Sequence, residues 1–478
     1  MAIRLDIQRT KFYNEISPVL ATKYFDCKRF GFLPKIDNIY YNLYISNDYN
    51  GNVKLIELFD YLEELKNKGK EIHQPQKFND ELNVELIGFS IYKYCLSSTD
   101  LYDIFVADYL PNSSTPRIFV QVRAFGLWTK TEEEIIKQSY NSVKKIFGDF
   151  HITFDLAMEN RIDYAYHTNA IHSPEKAFKD TQLESVMKTS LKRLQKAYDI
   201  QKNKKSEDKL ALIPDYLFLG NRKSNNVVVR IYNKAKEVVD KGYKGFFINI
   251  WHENGLINFY DKFCFEKAYE EKKFNYIHRA KLEFYLEYGT NEDFKQEIKK
   301  ILSKDNLTTE EIKDLADSHM PQLTTILNVE YETKRKFYYH SDDFIDTLQT
   351  KSNEITPLAR LFRITDNKKI FLDYLTTTVL SFNASWWKRL QSTKLDSLKT
   401  NLKLLRNYNH ELDERSSKMR LINQLATNSV LNDRLETDVE EDILDLMSNL
   451  NDNDIHAMKY AEKKKSKHSR LKNRLNKD

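Results

Sequence analysis

The chain has 478 residues, 41% of them hydrophobic and 13% aromatic, so most of it should fold, but it is too long for one compact core and two or three domains are expected. Its 75 Lys and Arg against 70 Asp and Glu leave a formal charge of only +5, so a basic partner-binding region must come from local clustering. Cys27, Cys95 and Cys264 are scattered with no CxxC spacing, which argues against a disulfide framework or a thiolate zinc site. No apolar run is long enough to span a bilayer, and Arg4 and Asp6 interrupt what a signal peptide would keep apolar, so a soluble cytoplasmic protein is expected.

In chain order, residues 39–45 (Ile-Tyr-Tyr-Asn-Leu-Tyr-Ile) and 84–94 read as strands, with a helix at 55–68 between them. Residues 118–123 form the next strand. Thr131, followed by three glutamates, then opens a helix that ends near Gly148. Arg161 to His167 reads as a strand, a basic helix covers 188–202, and Arg279 to Glu287 reads as another strand. Beyond about residue 290 the pattern turns helical, at 292–302, 308–318, 344–351, 357–363, 368–381 and 395–405. An acidic stretch at 436–445 then precedes a tail in which Lys463, Lys464, Lys465, Lys467, Arg470, Lys472, Arg474 and Lys477 face only Glu462 and Asp478. The expected organisation is an N-terminal α+β region (1–110), a catalytic domain (111–290), a helical C-terminal domain (291–450) and a basic tail (451–478). The fold class is α+β, a mainly antiparallel sheet flanked by helices.

Two constellations carry chemistry. Leu217-Phe-Leu-Gly220-Asn-Arg222-Lys223-Ser224, followed by Val227 to Asn233, reads as a β-hairpin with cations at its tip. Alternation on the second strand puts Arg230, Tyr232 and Lys234 on one face. A phenol among cations can attack a phosphodiester: positive charge favours phenolate and offsets charge developing on phosphate. A tyrosine on a strand can equally well serve only in packing, and the chain has 29 of them. The second constellation is the strand faces bearing Asp163 with His167 and, on 279–287, Glu283. Together they would make an oxygen-rich site with one nitrogen, suited to Mg²⁺ or Mn²⁺, unless Arg161 and Arg279 simply pair with the two acids. Ser385-Trp386-Trp387-Lys388-Arg389 places two tryptophans beside two cations, for core packing or for DNA contact through Lys388 and Arg389.

The order Arg-Ile-Asp-Tyr-Ala-Tyr (161–166), Tyr-Leu-Phe-Leu-Gly-Asn-Arg-Lys-Ser (216–224), Arg-Ile-Tyr-Asn-Lys-Ala-Lys-Glu (230–237) and Arg-Ala-Lys-Leu-Glu-Phe (279–284) resembles the replication initiation factor family. These are nicking initiators of rolling-circle plasmids and related relaxases of conjugative elements, and the likeness spans about residues 117–290. It implies a metal-dependent DNA strand transferase. Tyr232 would be the nucleophile, Arg222 and Arg230 would act on the phosphate, and Asp163 and Glu283, with His167, would hold Mg²⁺ or Mn²⁺. Lys223, Ser224, Lys234, Lys388 and Arg389 would contact DNA. The implied partners are double-stranded origin DNA, single-stranded DNA at the nick, a host helicase and DNA polymerase, and a second copy in a homodimer. A conjugative relaxase acting at a transfer origin is the alternative, followed by a non-catalytic DNA-binding regulator. The chain departs from the family pattern at three places: His167 replaces a second acid, Lys281 replaces an earlier glutamate on the late strand, and Gln121 stands where a strand would carry a glutamate. It has no GxxxxGK[ST] loop, in keeping with a reaction that stores its energy in a covalent phosphotyrosine and needs no nucleotide.

Overall fold

A computed structural model describes residues 12, 18–27, 31–45, 52–88, 91–98, 100–108, 116–148, 152–170, 187–191, 194–198, 214–222, 225–242, 244–303, 308–339, 342–350 and 356–392. The acidic stretch, the basic tail and the helix expected at 395–405 lie outside them. Eleven strands hydrogen-bond into one sheet, and every neighbouring pair is antiparallel. They are β1 (Phe32–Ile45), β2 (Gln76–Lys77), β3 (Asn83–Val84), β4 (Tyr94–Ser97), β5 (Tyr102–Val106), β6 (Ile118–Val122), β7 (Phe154–Thr168), β9 (Leu194–Tyr198), β10 (Pro214–Leu219), β11 (Val227–Asn233) and β12 (Leu327–Lys334). Their spatial order is β2-β3-β4-β5-β6-β1-β7-β12-β11-β10-β9, while β8 (Met187–Thr189) and β13 (Leu380–Phe382) form a separate pair.

The α+β class follows from this sheet and its flanking helices, and the C-terminal region of the described chain is mostly helical. The sheet does not respect the expected domain limits, however. It draws β1 to β5 from the first region, β6, β7 and β9 to β11 from the second and β12 from the third.

Period-two burial decides which way each strand faces. Val229 and Ile231 on β11, Val329 and Tyr331 on β12, and Ile162 and Tyr164 on β7 are all buried on the back of the sheet. That face is covered by the helix Glu132–Gly148, whose capping box joins Thr131 and Glu134 as the sequence suggests, and by the helices Ala359–Asp366 and Lys368–Tyr374. Two contacts pin the layers together. Tyr41 Oη meets Ser139 Oγ at 2.8 Å, and Arg360 grips the fully buried Glu159 through two 2.7 Å bonds. A separate aromatic cluster around Phe284 is built by the helices Phe259–Glu270, Ile277–Tyr288, Glu292–Leu302 and Thr309–His319.

Several sequence expectations are corrected. Residues 279–287 are helical because Ile277, Ala280, Lys281, Phe284 and Tyr285 fall at helical spacing and are buried together. The buried Lys281 is tolerated there because its Nζ donates to Asp317 at 2.7 Å. In 188–202 the described pieces are strands β8 and β9 rather than a helix. The expected strand at 84–94 is broken: β3 ends at Val84, β4 begins at Tyr94 and pairs with it antiparallel, and a Cβ on Gly88 would come within 2.2 Å of the Tyr92 carbonyl oxygen. The helix expected at 368–381 ends in a wide π-turn over Leu375–Val379 and passes into β13.

Candidate active site

Cross-strand register assembles the site on the front of the sheet. Tyr232 faces Asn328 and Arg230 faces Glu330 across β11 and β12. Glu332 faces Asp163 across β12 and β7, and Asp163 faces Asn38 on β1. The hairpin that presents Tyr232 turns at Gly220, with φ +94°, closed by Asn225 donating from its amide to the Asn221 carbonyl at 2.8 Å.

The Tyr232 hydroxyl donates to Glu330 Oε2 at 3.0 Å and accepts from Asn328 Nδ2 at 3.0 Å and from Lys234 Nζ at 3.2 Å. Arg230 pairs with the other oxygen of Glu330. β11 ends at Asn233, whose side chain caps the helix Lys234–Lys241 by accepting from the Lys236 amide at 3.0 Å. Lys234 therefore opens a helix, yet its ammonium returns to the tyrosine. It is buried, paired with Glu237 at 2.8 Å, and lies over the Phe247 ring. The cations do not yield a resting phenolate. Burial and the Glu330 charge hold the Tyr232 phenol well above its ordinary value, against the pull of Lys234, so the phenol keeps its proton and gives its hydrogen bond to the carboxylate.

Next to this cluster, Arg161 holds both oxygens of Asp163 at 2.7 Å and reaches Glu332 Oε2 at 3.1 Å, while its guanidinium lies over the Tyr40 ring. Burial, with the Glu330 and Glu332 charges, pushes the Asp163 carboxyl up to about 7 although Arg161 pulls it down. Arg222 is exposed and reaches Glu332 Oε2 at 3.3 Å. A cleft of about 650 Å³ opens over Tyr232, lined by six cations (Arg123, Arg161, Arg230, Lys234, Lys241, Lys244) and four acids (Asp37, Asp100, Glu237, Glu330).

The sequence-derived residues divide as follows. Tyr232, Arg230, Lys234 and Asp163 share the site, and Arg222 joins it through Glu332. Lys234 is buried against the tyrosine rather than displayed as a surface DNA contact. Glu283 sits on the helix Ile277–Tyr288, where it accepts from Tyr276 at 2.9 Å and Arg279 at 3.2 Å; the strand face expected to carry it does not exist. His167 lies on the same face of β7 as Asp163 but is sealed off. Its ring stacks on Trp128 at 4.4 Å, and its Nδ1 accepts from Trp251 at 3.1 Å. Burial brings its pKa down to about 3, so it stays neutral. Lys223 and Ser224 lie outside the described residues. Lys388 and Arg389 are exposed on the short helix Ser385–Gln391, while Trp387 is core, its indole donating to the Thr376 carbonyl at 2.9 Å.

The acids that sequence reading missed are Glu330 and Glu332. Their signal was present: Asn328, Glu330 and Glu332 alternate with Val329 and Tyr331, a period-two strand with two acids two residues apart. This strand lies between two expected helices and outside the span of the family likeness.

The donors available to a divalent cation are carboxylate oxygens. Among the described residues no three or more His, Cys, Asp or Glu are grouped as a metal site. Mg²⁺ commonly uses one or two carboxylates and completes its shell with water and phosphate oxygens. Asp163 and Glu332, in register on neighbouring strands, supply two carboxylates of that type, each paired with Arg161 in this structure.

No family model matches the chain, and no curated protein matches it. Among solved structures it is similar to the rolling circle replication initiator protein from Geobacillus stearothermophilus, at 10% identity and a TM-score of 0.34 over 76% of this chain and 96% of that one. At that level of likeness the functional argument rests on the site itself. No helix among the described residues is long and apolar enough to cross a membrane.

Proposed function

We propose that this chain is a rolling-circle replication initiator that nicks one DNA strand by tyrosine transesterification. The observation that carries the reading is the Tyr232 hydroxyl, held by Glu330, Asn328 and Lys234 at the floor of a cation-lined cleft. A tyrosine used only for packing needs neither three polar partners on its oxygen nor an open cleft above it.

Tyr232 Oη attacks the scissile phosphorus while its proton passes to Glu330, already its hydrogen-bond acceptor. The Oη–P bond forms and the bond from phosphorus to the 3′ oxygen breaks. The leaving oxygen takes a proton from solvent, which gives a 5′-phosphotyrosyl chain and a free 3′-hydroxyl. Lys234 and Asn328 donate to the attacking oxygen and hold it in place, and Arg230 and Arg222 offset charge on the phosphate. A Mg²⁺ or Mn²⁺ ion held by Asp163 and Glu332 would supply Lewis-acid polarisation of a phosphate oxygen. On religation an incoming 3′-hydroxyl gives its proton to solvent as its oxygen bonds to phosphorus, the bond from phosphorus to Tyr232 Oη breaks, and Glu330 returns its proton to the tyrosine.

The free 3′-hydroxyl is the primer a host DNA polymerase extends, with a helicase opening the duplex. Origin DNA is the specific partner, contacted in part by Lys223, Ser224, Lys388 and Arg389, and a homodimer is the working assembly. The test is Tyr232→Phe. It should abolish nicking of the protein's own supercoiled replicon, and with it the SDS-stable 5′ adduct, while duplex binding stays within a few-fold. Undiminished nicking by this variant would overturn the assignment.

A further inference from the structure

Asp37 lines the cleft without a part in the chemistry so far, and its place there comes from an irregularity in β1. Ile36 pairs with Tyr164 on β7 and the next pair is Asn38 with Asp163, so Asp37 is one residue more than β7 has to match it, a β-bulge. Ile36 and Ile39 are fully buried on the back of the sheet with Tyr164 and Ile162, while Asn38 and Tyr40 stay on the front with Asp163 and Arg161. The extra residue lets Asp37 and Asn38 share the front, where strict alternation would send one of them to the back. Asp37 is 2% exposed there, and its Oδ1 accepts from the Trp128 indole at 3.0 Å. Trp128 meets the Phe247 ring edge-on at 5.0 Å, and the Lys234 ammonium lies 5.1 Å from the centroid of that same ring.

We propose that Asp37 is a positioning residue for nicking, acting through Lys234 by holding its ammonium as a hydrogen-bond donor to Tyr232 Oη. The inference rests on the nicking reading and adds to it the group that keeps Lys234 in its role. A buried ammonium needs compensating charge. On its own helix Lys234 has Glu237 at 2.8 Å, but Glu237 also serves Lys241 at 3.0 Å, so one carboxylate is divided between two lysines. A second acid makes up the balance, and the bulge supplies it from another element of the same cleft. The electrostatics agree from both sides. Burial drives the Asp37 carboxyl up, but the Lys234 and Lys244 charges, with His167 and the Trp128 bond, bring it below its ordinary value. Burial drives the Lys234 ammonium down, but Tyr232, Asp37, Glu237 and Glu330 hold it well above its ordinary value. As the Tyr232 proton passes to Glu330, negative charge grows on Oη, and a charged Lys234 stabilises it. A neutral amine in that place would accept from the phenol instead and compete with Glu330 for its proton.

The experiment uses the full chain on its own supercoiled replicon with Mg²⁺ or Mn²⁺, at saturating protein and under single-turnover conditions. Removing one preorganised donor costs ~10²- to 10³-fold, so Lys234→Met should slow nicking about a hundredfold or more, and Asp37→Asn, which leaves Lys234 in place, about tenfold. Duplex affinity of the Asp37→Asn chain should stay within about twofold, since the loss falls on the chemical step. Two readouts separate positioning from a merely structural role. The losses should not add: Asp37→Asn placed on Lys234→Met should slow nicking no more than about twofold further. The ratio of wild-type to Asp37→Asn rates should also widen from about pH 7 to about pH 10, because without Asp37 the ammonium gives up its proton more readily. Trp128→Phe, which removes the bond to Asp37 and keeps a ring against His167, is the second variant and should show the same pattern with a loss of about threefold. Asp37→Asn nicking at the wild-type rate, a loss that adds in full to that of Lys234→Met, or a ratio that stays flat with pH would overturn the role of Asp37. Absence of nicking and of a 5′ adduct with the wild-type chain would instead overturn the nicking reading beneath it.

Discussion

Glu330 joins Arg230, Tyr232 and Asn328, so Glu330→Gln is a discriminating single change. The substitution keeps the shape and a hydrogen-bond acceptor for Tyr232 and Arg230, but an amide cannot take the phenol proton. A positioned general base contributes about 10²- to 10⁴-fold, so the nicking rate should fall within that range. The resting phenol should change the opposite way. The Glu330 charge is, after burial, the main influence raising the Tyr232 phenol, so removing it should make that tyrosine more acidic while the enzyme becomes slower. Both can be measured: nicking on supercoiled plasmid under single-turnover conditions, and the ultraviolet titration difference between the Glu330→Gln chain with and without Tyr232→Phe. The rate reports the proton acceptor, and the phenol shift independently reports the Glu330 charge acting on Tyr232. Nicking at the wild-type rate, or a phenol that became less acidic, would refute the reasoning.

Asp163 gives a pH dependence. Its carboxyl is pushed from 3.8 up to about 7 in the folded chain, so between these values the folded state binds more protons than the unfolded one. The resulting stability is fully present below about pH 4 and is lost as pH rises through about 7, with a slope of at most ~1.4 kcal/mol per pH unit. Asp163→Asn should flatten that slope in urea titrations run from pH 5 to pH 8; an unchanged slope would show that the proton resides elsewhere. Arg360→Ala leaves Glu159 fully buried without its partner and should cost about 3–5 kcal/mol in urea unfolding, and a loss below ~1 kcal/mol would mean the pair contributes little. Glu283→Gln weakens a partly exposed helix-surface pair with Arg279 and the bond from Tyr276, both away from Tyr232, so nicking should stay within twofold. A drop of a hundredfold would return Glu283 to the active site and displace Glu330 and Glu332 from it.

What could be read in the sequence were the features that depend on neighbours along the chain. The hairpin, its Gly220 turn, the shared face of Arg230 and Tyr232, and the capped helix after Thr131 all follow from backbone preference and side-chain period, and the structure has them. The α+β class followed as well, because mixed periods along one chain leave few alternatives. The segment 279–287 failed for a local reason. Its helical stripe contains Lys281, and a buried lysine is plausible only when Asp317, on another helix, is known to face it. Gly88 broke a strand for a reason that no spacing carries, the close return of Tyr92.

The tertiary structure alone decided which acids belong to the tyrosine. β12 is separated from β11 by nearly a hundred residues of mostly helical chain, yet it inserts between β11 and β7 and places Glu330 and Glu332 against Arg230 and Asp163. Sequence fixes the period of a strand and hence which residues share its face. It does not fix which strand comes to lie alongside, because pairing is set by the burial of a whole sheet face beneath helices that come from both ends of the chain. For the same reason Asp163 and His167, two residues of one face, end in different surroundings: one beside the cleft, the other sealed under Trp128 and Trp251.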